Sequence, residues 1–95
     1  MNHKLEKYYS GHKKWDDFVN IFNGGWNKCP FKDDMLNELN DKLDIAIVVF
    51  GLQDKESLAW IHTKIPALDK LTPSQCTRSD VLLKRLKAML MRMPM

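Results

Sequence analysis

A chain of 95 residues with 44% hydrophobic and 28% charged side chains has the size and balance of one globular domain, with a modest core and little protein to spare for a deep catalytic pocket. The net charge of +3 falls short of a dense polybasic footprint, and the longest uncharged apolar run, IAIVVFGL at 45–52, is far below the roughly 20 residues that a membrane-spanning helix needs. That charge is uneven: residues 1–50 hold seven Lys against eight Asp or Glu, or −1, and residues 51–95 hold eight Lys or Arg against four acids, or +4.

In chain order, the first stretch, MNHKLEKYYSGHKK, is basic but leads into no apolar segment, so a secretory signal is not expected. A cytoplasmic location follows as the expectation, with Cys29 and Cys76 as free thiols. Trp15, Phe18, Val19 and Phe22 repeat at i, i+3, i+4 and i+7, which predicts a helix over about 12–23. Gly24 and Gly25 are placed to end it with a left-handed cap. WNKCPFK then reads as a loop around Pro30, with Trp26 and Phe31 folding back on the core.

From Asp33, the set Met35, Leu36, Leu39, Leu43, Ala46, Ile47 and Phe50 keeps one helical stripe for more than four turns, predicting a single long helix ended by Gly51. Asp54 is positioned to cap a short helix carrying Leu58, Trp60 and Ile61, which must stop before Pro66. Thr72, Pro73, Ser74 and Gln75 spell a capping box with proline at the first helical position. Ser79 and Asp80 offer a further start, and Leu82, Leu83, Leu86, Met89, Leu90 and Met93 form the stripe of the last helix. The pattern predicts an all-α bundle of about five helices, with no sheet, in a single domain over 1–95.

Taken together, Phe50-Gly51, Trp60-Ile61, and Ala67-Leu68 followed by Thr72-Pro73 resemble the toxin-binding domain of the Xre/MbcA/ParS antitoxins. The resemblance spans about residues 47–91 and rests on Phe50, Gly51, Trp60, Pro66, Leu68, Thr72 and Pro73 as structural positions. Two departures stand out. Asp69 and Lys70 replace the family's paired glycines, and the upstream residues show no helix-turn-helix, so DNA binding is not favoured. The resemblance divides the chain into an N-terminal helical extension, 1–32, and a toxin-binding-like core, 33–95.

What the resemblance implies is an antitoxin-like module that binds a cognate toxin, in the family typically a RES-type enzyme that consumes NAD, and covers its active site. The segment 65–76 then supplies a shaped rim, with Lys64, Asp69 and Lys70, and the last helix with its tail to Met95 supplies the contact. Helical spacing adds an argument of its own: Val81 and Met91 fall off the core stripe among Lys84, Arg85 and Arg92, giving apolar residues inside a basic rim.

Other chemistries fit less well. His3, His12, His62, Cys29 and Cys76 include no close pair of the kind zinc sites use, and no metal or cofactor is expected. No nucleophile signature such as G-x-S-x-G appears, and the adjacent acids Asp16-Asp17 and Asp33-Asp34 point to different sides, so the chain is not expected to be an enzyme. The alternatives are a nucleic-acid-associated regulator acting through the basic last helix, and a phage or mobile-element accessory protein acting as a homo-oligomer.

Overall fold

The computed structural model describes residues 11–93. Six helical segments make up an all-α architecture: α1 (His12–Trp26), α2 (Lys32–Glu38), α3 (Leu43–Gln53), α4 (Ser57–Trp60), α5 (Pro73–Cys76) and α6 (Asp80–Arg92). α4 and α5 are single turns, and short 3-10 turns occupy Asp54–Glu56 and Pro66–Leu68. Among the described residues there is no sheet, only an isolated bridge between Ile65 and Leu71. Nor is any helix there long and apolar enough to cross a membrane.

α3 is the axis of the molecule. Ile45, Ala46, Ile47, Val48, Val49 and Phe50 are buried in unbroken succession, which requires cover on every side. α1, α2, α4 and α6 all pack against it. Trp15 and Val19 join Met35, Leu39, Ile61, Leu68, Cys76, Leu86 and Leu90 in the same buried cluster. The expected N-terminal extension is therefore, from His12 onward, part of the one core.

The structure corrects three of the expected boundaries. α1 does not stop at Asn23 but runs through Gly24 and Gly25 to Trp26. Glycine inside a helix costs about 1 kcal/mol relative to alanine. Carrying the helix on seats Trp26, whose ring stands edge-on to Phe50 at 6.3 Å between centroids. Phe31 meets the same Phe50 ring at 5.7 Å, so both aromatic side chains do fold back on the core.

The long helix expected from Asp33 to Phe50 is broken in two. Asn40 and Asp41 take left-handed φ values of 54° and 61°. The Asp41 N–H donates to the Leu36 carbonyl at 2.8 Å, the 6→1 bond that closes a helix C-terminus. Breaking there lets α2 fold back and cover α3. It also resets the helical phase, so Leu43, expected on the buried stripe, is 48% exposed.

Gly51 does not end its helix; α3 continues to Gln53. A Cβ at Gly51 would stand 2.9 Å from the Phe22 Cβ and closer still to its ring. The glycine is there to let α1 and α3 approach. Asp54, expected as a cap, instead opens the 3-10 turn at a φ of 50°, and α4 has no side-chain cap. Its carbonyl accepts from the buried Ser57 hydroxyl at 2.6 Å.

Candidate functional site

The segment after α4 is built from local rules. Ile65 is extended, as a residue before proline must be, and Pro66 opens the turn that buries Leu68 completely. Asp69 and Lys70 then take left-handed φ values of 56° and 66°, turning the chain back so that the Lys70 N–H reaches the Ile65 carbonyl at 3.0 Å. The Ile65 N–H bonds the Leu71 carbonyl, also at 3.0 Å, and closes the loop.

α5 starts where the sequence places it. The Thr72 hydroxyl accepts from the Gln75 N–H at 3.1 Å, and the Gln75 amide oxygen accepts from the Thr72 N–H at 2.8 Å, with Pro73 at the first helical position. Ser74 fastens this turn to the rest. Its N–H donates to the Ile61 carbonyl at 3.0 Å and its hydroxyl to the Glu38 carbonyl at 2.5 Å, satisfying a group left open at the end of α2. Asn40 donates to the Thr77 hydroxyl at 2.8 Å, which donates in turn to the Ser74 carbonyl at 2.7 Å. The two left-handed turns, 40–41 and 69–70, thus flank a single hydrogen-bonded α5.

α6 begins on Ser79, whose hydroxyl accepts from the Leu82 N–H at 3.4 Å. Leu86, Met89 and Leu90 are buried, and Leu82, Leu83 and Met93 lie half-buried along the same stripe. Arg85 reaches from this helix to Asp69, nitrogen to oxygen 2.6 Å. The Arg85 side chain is only 12% exposed against 75% for Asp69, so the pair contributes little stability by itself but pins the loop to α6.

Of the residues read as partner contacts, Lys64, Asp69, Lys70, Lys84 and Arg92 are exposed, and Val81 is 54% exposed. Met95 lies outside the described residues. Met91 is a correction. It is half-buried and packs against the core cluster, leaving Val81 as the exposed apolar residue of the expected pair. Of the motif positions, Phe50, Leu68 and Pro73 are buried, Trp60 and Thr72 are half-buried, and Gly51 and Pro66 are exposed.

The sequence reading missed the role of Lys87. Its side chain is 12% exposed, its ammonium lies 3.6 Å from the Asp44 carboxylate and sits 5.4 Å over the Trp15 ring. Asp44 also accepts from the buried Trp15 N–H at 2.8 Å. One carboxylate therefore joins α1, α3 and α6. Helical spacing alone marks Lys87 as one more solvated base, and only the packing of three helices brings it to Trp15.

Both cysteines are free and buried. Burial pushes the Cys76 thiol up to about 11 against an ordinary 9.0, partly offset by the positive charge of Arg85. No three His, Cys, Asp or Glu side chains among the described residues converge on a point where a metal ion would sit. Compared with family models, curated proteins and solved structures, the chain matches none of them.

Proposed function

We propose that the chain is an antitoxin-like protein-binding module of the cytoplasm. Its rim at 64–72 and the outer face of α6 dock on a cognate toxin and neutralise it by covering the active site. The observation that carries this reading is the conformation of Asp69 and Lys70. The resembled family pattern places two glycines after the leucine of the turn, and these two residues, which follow Leu68, are the left-handed ones here. Glycine is the residue that takes such φ values freely, so a pattern with glycine and a chain with Asp-Lys arrive at the same backbone demand.

The surrounding chemistry agrees with a docking role. Val81 presents apolar surface one helical turn before the exposed Lys84, on the helix that Arg85 ties to the loop through Asp69. A rigid, hydrogen-bonded rim loses little conformational entropy on association. The family's usual partner, a RES-type enzyme that consumes NAD, is the toxin class to look for first.

The test is co-purification of the tagged chain with the products of the adjacent reading frames. A stoichiometric partner that arrests growth when expressed alone is the expected result. The double variant Val81→Asp/Lys84→Glu, at two exposed positions, should fold normally and lose that partner at least tenfold. Recovery of no protein partner, or retention of the partner by the double variant, counts against the reading.

A further inference from the structure

The outer side of α1, which includes no residue of α6 or the 64–72 loop, carries a different argument. Ile21 is 60% exposed, more than any other large apolar side chain among those described. At about 100° per residue, Asp17, Gly24 and Lys28 fall within about 60° of Ile21 around the helix, opposite the buried Trp15 and Val19. All three are exposed. Lys28 lies just past the end of α1, and its N–H donates to the Gly25 carbonyl at 3.0 Å, which keeps it on the helical path. From one end to the other the stripe is Asp, Ile, Gly, Lys.

That order makes the stripe complementary to its own reverse. In an antiparallel pair of α1 helices related by a two-fold axis between Phe22 and Asn23, Asp17 of each copy stands opposite Lys28 of the other, and Ile21 opposite Gly24. Gly24 has no Cβ, and nothing in its own chain lies within 4 Å of where one would stand, so the space above it is open to the isoleucine.

The charges select this register and direction. A slide that sets Ile21 against Ile21 brings Lys14 to Lys28, and a parallel pair sets Asp17 against Asp17 and Lys28 against Lys28. Asp16 lies off the stripe, and Lys13 and Lys14 fall outside the overlap of 17–28. The bond from Lys13 to Asp17, 3.4 Å long between side chains 89% and 65% exposed, is too weak to withhold that carboxylate. Beside Lys28, Asp54 and Lys55 line the same cleft and offset each other.

We propose that the chain self-associates through this face as a symmetric, antiparallel α1 dimer. At most a dozen residues a side take part, about half of the roughly 20–30 in a standard interface, so the dimer is weak, dissociated at micromolar concentration and populated toward millimolar. None of the toxin-docking residues belongs to this face, so one dimer carries that surface twice.

Sedimentation equilibrium of the full-length protein at low ionic strength, from micromolar to millimolar concentration, tests the proposal. A reversible monomer–dimer equilibrium is expected, weakened at least tenfold by Ile21→Asp with the melting temperature unchanged, and abolished by Gly24→Leu, which fills the seat of the isoleucine. Asp17→Lys and Lys28→Asp should each weaken it at least tenfold, because each sets like charges opposite one another twice. An equal mixture of those two variants should associate again, since a heterodimer restores both pairs with the signs exchanged. A chain that stays monomeric at millimolar concentration, a dimer indifferent to Ile21→Asp, or a mixture no stronger than its components overturns the proposal. So does a co-purified protein partner lost on Ile21→Asp from a chain that is itself monomeric, because it assigns the face to that partner.

Discussion

The contact between α1 and α3 and the turn into α5 are held by opposite means. At α5, the fastening groups are neighbours in sequence: Thr72 and Gln75 bond each other, and Pro73 sits between them. Where α1 crosses α3, the decisive pair is Phe22 and Gly51, which meet only because the helices carrying them are already packed. A turn of the first kind is written in four consecutive letters. A contact of the second kind has no local signature, and the glycine that serves it reads as a helix stop.

The largest expected effect lies in the second region. Gly51→Ala puts a methyl group against Phe22, including its Cβ, which rotation of the ring does not move away. α1 and α3 must separate, and overpacking of this kind costs about 1 to 3 kcal/mol. Urea unfolding should show a lower midpoint with an unchanged slope, and a melting temperature several degrees down. If Gly51→Ala is neutral, the close approach is not what selects glycine and the contrast between the two regions fails.

The next effect distinguishes the α5 region by pH. Unfolded chain releases the Cys76 proton near 9.0, whereas the folded protein holds it to about 11. Between those values the unfolded state binds fewer protons, so stability is complete below 9 and falls as pH rises toward 11. At about 1.4 kcal/mol per unit, two units set an upper bound of roughly 3 kcal/mol. The expected observation is a drop in unfolding free energy from pH 9 to 11 in the native chain that is absent from Cys76→Ala, while Gly51→Ala keeps the full pH dependence.

A smaller loss is expected from Thr72→Ala. It leaves the Gln75 N–H without its acceptor and should lower stability by about 1 kcal/mol, with Thr72→Ser recovering most of it. Because the cap is local, the loss should add to that of Gly51→Ala; a strongly non-additive double variant would show that the two regions are coupled.

The same division explains what could be read in the sequence. The all-α fold, the stripe of α6, its Ser79 start and the whole of the α5 cap follow from period and neighbouring hydrogen-bonding groups. The exposed positions Lys64, Lys70, Val81 and Lys84 were legible for the same reason, since helix phase and polar loops decide them. The α2–α3 break was legible in principle, because Asn40 and Asp41 are among the non-glycine residues that best tolerate positive φ. An apolar stripe running past them carried the stronger signal. Met91 and Lys87 were not legible, because their burial comes from other helices, and neither was the Trp15–Asp44–Lys87 cluster.

The smallest effects concern where glycine is absent and where it stands without need. Lys70 holds φ at 66°, a region in which a Cβ crowds the following carbonyl, so Lys70→Gly should relieve strain of roughly 1 kcal/mol and lose part of it to the greater freedom of the unfolded chain. Gly24→Ala sits in a right-handed helix facing open space and should gain up to about 1 kcal/mol. Both variants are therefore expected to melt slightly higher than the native chain, one by adding a glycine and the other by removing one. If Lys70→Gly instead lowers the melting temperature, the lysine stem packs favourably enough to outweigh the backbone. If Gly24→Ala does so, the end of α1 is frayed in solution and Trp26 is not held against Phe50 as the fold requires.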